Sequence, residues 1–132
     1  VAIDFYDGSI MYDFVNGKTT ICDIDLFRKQ PCVNDMGHMW GNSRFQSPEE
    51  HQLGADIDEI TNVYTLGATA FALFGEYNRT REKWQLSDKL FEIATRAVSD
   101  DRANRHSQQN GRRHNNESYC ILWSCVLRLF QK

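Results

Sequence analysis

Three oxygen-bearing side chains near the start of the chain, Asp4, Ser9 and Asp23, are of the types that phosphoryl transfer uses. That chemistry needs hard oxygen ligands for a divalent metal and a carboxylate beside the attacking hydroxyl. Asp4 and Ser9 bracket Asp4-Phe5-Tyr6-Asp7-Gly8-Ser9, and Asp23 sits in Cys22-Asp23-Ile24-Asp25. Two aspartates alone carry little specificity, because most such acids are solvated at a surface. They gain weight if the chain between them folds back on itself.

The intervening residues predict that fold-back. Ser9 to Phe14 is β-rich, Asn16-Gly17 is a hairpin signal because both residues tolerate positive φ, and Thr19 to Cys22 makes the return strand. The hairpin places Ser9, at the start of one strand, near Asp23, at the end of the other. Asp25 to Gln46 has no sustained period, and Pro31, Gly37 and Gly41 mark it as a long loop. Ser47-Pro48-Glu49-Glu50 has the form of a helix start, with a short helix ending near Gly54. Asp58 or Thr61 caps the next helix, which runs to about Phe74 with Gly75 as its C′ residue. Val63, Leu66, Ala70, Leu73 and Phe74 follow helical spacing, and Gly67, Ala68, Ala70 and Ala72 predict a closely packed, buried helix. A short helix over Thr80 to Trp84 follows. A better one opens at Ser87, with Leu90, Ile93, Ala94 and Ala97 on one face. The predicted class is α+β, mainly α.

The 132 residues suffice for one domain with a modest core. A net charge of −3 gives no general attraction to nucleic acid or to an anionic membrane. The longest apolar stretch, Tyr119 to Phe130, is too short to span a bilayer, and no basic leader opens the chain. Cys22, Cys32, Cys120 and Cys125 form no Cys-x-x-Cys pair and read as reduced core thiols of a cytoplasmic protein. His38, His51, His106 and His114 read as surface or loop histidines. Trp40 and Phe45 are expected to pack against the domain, with a peptide groove as the alternative. His106 to Ser118 is polar without an aliphatic residue, so residues 1–107 are expected to form the domain and 108–132 a divergent tail.

In this order the motifs resemble the C-terminal lobe of a eukaryotic-like serine/threonine protein kinase, particularly its bacterial relatives. Ala2-Ile3-Asp4 through Ser9 takes the place of the catalytic loop His-Arg-Asp-x-x-x-x-Asn, and Asp23-Ile24-Asp25 that of Asp-Phe-Gly. Ser47-Pro48-Glu49 resembles Ala-Pro-Glu. Asn62-Val63-Tyr64-Thr65-Leu66-Gly67 resembles the Asp-Val-Tyr-Ser-x-Gly of a buried central helix. Asp101-Arg102-Ala103-Asn104-Arg105 resembles Asp-Pro-x-x-Arg.

The resemblance implies roles. Asp4 would orient the substrate hydroxyl and accept its proton. Asp23 would bind the Mg²⁺ that bridges the ATP phosphates, with Ser9 as a weaker second ligand. Phe27 to Phe45 would be the activation segment, and Glu49 and Arg105 a structural ion pair. Asn62 would brace the catalytic loop. The partner implied is a protein substrate.

The departures count against strong catalysis. Ala2-Ile3 removes the arginine that would hold a loop phosphate, Tyr6 stands in place of a lysine, Ser9 of an amide, and Asp25 of a glycine. Ser9 is as well suited to a turn hydroxyl as to a metal ligand. No glycine-rich phosphate loop or paired lysine precedes Asp4. An N-terminal lobe is thus expected to be missing and the chain alone to be inactive. Two alternatives stand beside this reading. One is a non-catalytic kinase-like binding module. The other is a small-molecule phosphotransferase lobe of the aminoglycoside kinase type, against which the Ser47-Pro48-Glu49 and Arg105 pairing counts.

Overall fold

The computed structural model describes residues 1–105. The expectations for later residues, including His106, His114, Cys120, Cys125 and the tail, lie outside the described residues. Among the described residues the fold is a small α+β arrangement of two α-helices and two small antiparallel sheets.

Strands β1 (Ile10–Asp13) and β2 (Lys18–Ile21) form the predicted hairpin, with Ile10 opposite Ile21 and Asp13 opposite Lys18. The turn differs from the two-residue Asn-Gly form. Asp13 accepts from the backbone N–H groups of Val15 and Asn16 at 2.9 and 3.2 Å, and only Gly17 takes a positive φ, of 63°. An aspartate that satisfies the turn's own donors widens the loop to four residues, and Asn16 has no need of the left-handed region. Phe14 and Val15 at the tip are exposed.

The long segment after β2 is not wholly irregular. Cys32–Val33 (β3) pairs with Asp56–Ile57 (β4), two-residue strands that leave no periodic trace in sequence. Buried Asn34 then ties the loop down. Its Nδ2 donates to the carbonyls of Gly37, Glu49 and Glu50, and its Oδ1 accepts from Met36 and Gly37. Ser47 caps the 3₁₀ turn Pro48–His51 through a reciprocal box with Glu50. The turn ends at His51 rather than near Gly54.

Helix α1 (Glu59–Phe74) starts at Asp58, whose carboxylate accepts from Ile60 N at 2.8 Å while Thr61 Oγ1 accepts from Asp58 N. It is the buried spine of the fold. Buried Thr65 and Thr69 bond back to the carbonyls of Thr61 and Thr65, so their hydroxyls cost little inside the core. Gly67 permits the crossing of α2 (Asp88–Ala97): a Cβ there would lie 2.7 Å from Ala97 Cβ. Gly75 ends α1, but at φ −123°; the left-handed residues are Glu76 and Tyr77. What requires glycine is space, since a Cβ would lie 2.5 Å from Asn78 O.

The main core joins Phe45, Tyr64, Phe71, Phe74, Trp84 and Ile93. A second cluster gathers Ile3, Met39 and Ile57. Trp40, expected to pack inward with Phe45, is instead 63% exposed, because Met39 and Phe45 on either side take the buried positions. Cys22 and Cys32 are half-buried free thiols that donate to the carbonyls of Ser9 and Ile57, and Cys32 packs against the second cluster. Among the described residues no helix is long and apolar enough to cross a membrane.

Candidate functional site

The hairpin does bring one end of the acidic stretch to the other. Cys22 N donates to Ser9 O at 2.9 Å, extending the ladder one step beyond β2, so Asp23 emerges beside Ser9. Asp23 is exposed and takes φ 58°, and Asp4 takes φ 57°. Left-handed backbone is uncommon away from glycine, though aspartate tolerates it better than most residues. Such conformations cost about 1–3 kcal/mol each and cluster at active sites.

Asp4 is half-buried and held by a loop that sequence reasoning did not assign to it. Asn42 N donates to Asp4 Oδ1 at 3.3 Å. Gly41, at φ 130°, lies so close that a Cβ would sit 2.9 Å from the same oxygen. A glycine inside an aperiodic loop was the only available signal, and it does not name its partner. Asp4, Asn42, Gln46, Glu50 and Thr65 border a small pocket. Gln46 Nε2 is committed to the carbonyls of Met39 and Trp40, which leaves its buried Oε1 without a partner. Burial raises the Glu50 carboxyl above the ordinary range, partly offset by hydrogen bonds from Ser47.

Ser9 is fully buried, and its hydroxyl accepts from Tyr6 N at 3.4 Å within the turn Asp7–Ser9. Its side chain thus serves the turn that launches β1. Mg²⁺ usually takes one or two carboxylates, keeps several waters and binds substrate phosphates. The exposed Asp23 carboxylate fits that pattern; the inward Ser9 hydroxyl fits it poorly. Among the described residues no three or more His, Cys, Asp or Glu side chains gather into a metal-holding group.

The remaining singled-out residues occupy a separate, buried place. Arg105 grips Glu49 in a fork, Nη1 to Oε1 at 2.6 Å and Nη2 to Oε2 at 3.0 Å. Both are buried, and Arg105 Nε donates to Ser99 O at 2.8 Å. Arg102 and Thr61, which the sequence did not assign to this pair, complete the knot: Arg102 Nη1 and Thr61 Oγ1 donate to Glu49 Oε1 at 2.9 and 3.1 Å. Arg102 Nη2 also pairs with Asp58 at 2.5 Å, tying the knot to the cap of α1. Burial pushes the Glu49 carboxyl up, but the hydrogen bonds and charge of Arg105, with Thr61, outweigh it and hold the group below the usual glutamate range. Asn62 Oδ1, on α1, accepts from Ala2 N at 3.0 Å and so anchors the chain two residues before Asp4.

No family model matches the chain, and neither the curated proteins nor the solved structures yield a match.

Proposed function

We propose that Asp4 and Asp23 are the proton-accepting and metal-binding carboxylates of a serine/threonine protein kinase-like domain that transfers phosphate from ATP to a protein hydroxyl. One observation carries the reading. Both aspartates sit in left-handed backbone, Asp4 five residues before the Ser9–Cys22 closure and Asp23 directly after it. Residues held in such conformations point to function when the surroundings over-determine them. The bracing of Ala2 by Asn62 and of Asp4 by Asn42 is support of that kind.

A second reading, a non-catalytic kinase-like binding module, is favoured by the buried Ser9 hydroxyl, which is turned into its own loop. One experiment separates the two. Mn²⁺ with ATP, added to the full chain, should broaden the amide resonances of Cys22 to Ile24, and Asp23→Ala should abolish the effect. Absence of broadening in the unaltered chain would sink the phosphoryl-transfer reading. A phosphate-transfer assay with turnover that Asp4→Ala removes would overturn the expectation of inactivity.

A further inference from the structure

Two exposed histidines meet where the loop after β3 passes the turn Pro48–His51. His38 Nδ1 and His51 Nδ1 lie 2.7 Å apart, with ring centroids 4.5 Å apart and the rings inclined at 42°. Two imidazole nitrogens at that distance need one proton between them. The contact is set by the scaffold beneath it rather than by chance rotamers. Met39 N donates to Glu50 O at 2.9 Å, so the residues next to each histidine are joined through backbone. Asn34, fully buried and with both ends of its amide bonded, clamps Gly37, Glu49 and Glu50, on either side of the pair.

We propose that His38 and His51 form a two-imidazole site for a borderline divalent transition ion such as Zn²⁺ or Ni²⁺. The donor type selects the ion: neutral imidazole suits Zn²⁺, Ni²⁺ and Cu²⁺, while Mg²⁺ and Ca²⁺ require oxygen. The geometry is close to what is needed. With Zn–N bonds near 2.0–2.1 Å, a tetrahedral ion holds its two nitrogens about 3.3 Å apart. The rings therefore separate by only about 0.6 Å to admit it. Both Nδ1 atoms must then carry free lone pairs, with each ring proton on Nε2. Water fills the remaining coordination positions. The ion would tie the loop that follows β3 to the 3₁₀ turn Pro48–His51. This inference does not rest on the phosphoryl-transfer reading.

The test follows the two imidazole rings by ¹H–¹⁵N NMR while the full chain is titrated with Zn²⁺, and separately with Mg²⁺. Zn²⁺ should shift both rings together, saturating at one ion, and Mg²⁺ should shift neither. Losing one arm of a chelate converts an intramolecular second step into none. His38→Ala and His51→Ala should each weaken the response of the remaining ring by about a hundredfold. Both side chains are exposed, so the variants should keep the unaltered backbone spectrum, which the same experiment reads. Zn²⁺ that leaves the two rings unmoved, or a remaining ring that responds at unchanged concentration in either variant, overturns the proposal.

Discussion

Around Glu49, two arginines and a threonine converge on one buried carboxylate, while Asp23 stands exposed at the end of β2 and Asp4 leans on a single loop amide. Both regions are built from acidic side chains, and the difference lies in what surrounds them. At Glu49 every acceptor is used, so the group fixes geometry: it joins the turn Pro48–His51, the cap of α1 and the turn Arg102–Arg105. At the Asp4 and Asp23 edge acceptor capacity is left open and the backbone is strained instead. A fold that spends its full hydrogen-bonding capacity in one place and leaves it open in another separates support from chemistry.

The sharpest break in that comparison is Arg105→Ala. It leaves a buried carboxylate short of its forked partner, and truncating one member of a buried pair costs about 3–5 kcal/mol. Urea denaturation should register this as a large fall in midpoint. The same truncation on the other side, Asp4→Ala, should move it less, by about the 1–2 kcal/mol that left-handed backbone at φ 57° costs alanine.

Next in size is Gly67→Ala. Its methyl would meet Ala97 and Val98 where α1 crosses α2, and overpacking of this kind costs about 1–3 kcal/mol. Thermal melting reads it directly. An unchanged melt would show that the two helices part easily.

Acid sharpens the comparison within the knot itself. Glu49 is held below its ordinary range when folded, so its contribution is present at neutral pH and lost as pH falls through the folded value. Glu50 is raised, so its contribution is present at low pH and lost as pH rises through its folded value. The two slopes oppose one another. Glu50→Gln removes one of them, so its urea midpoint should fall more steeply on acidification than that of the unaltered chain.

The smallest effect is expected at Asp23→Gly. Glycine enters φ 58° freely but loses more entropy on folding, and the two nearly cancel, to within about 1 kcal/mol. The Mn²⁺ and ATP broadening should nonetheless disappear. A large loss of stability here would mean that Asp23 belongs to the supporting half of the molecule.

Legibility followed the same division. Asp58 and Thr61 could be read as cap residues because a capping box is local, and α2 because its apolar face repeats within ten residues. The hairpin was legible to its strands but not its turn, since Asp13 competes with Asn16-Gly17 for the loop's donors. Trp40 departs from expectation because burial in this loop follows no regular spacing: Met39 is buried, residues 40–44 are exposed and Phe45 is buried again. Of the candidate site, Asp4, Ser9 and Asp23 were visible as residue types. Gly41, Asn42 and Gln46 were not, because nothing in the loop's sequence says which acid it will cover. The His38–His51 contact was likewise hidden, since each histidine alone is an ordinary surface residue.

By itself the sequence determined an α+β chain, the two ends of α1 and the start of α2, the buried spine of small residues and the hairpin that returns Cys22 to Ser9. These depend on interactions between residues a few positions apart. Tertiary structure alone decided that Arg102 and Thr61 share Glu49, that Gly41 packs on Asp4, that Ser9 turns inward and that two histidines meet. The physical reason is range. Asn62 reaches Ala2 across 60 residues and Arg105 reaches Glu49 across 56, so such partners exist only once α1 has been packed into place.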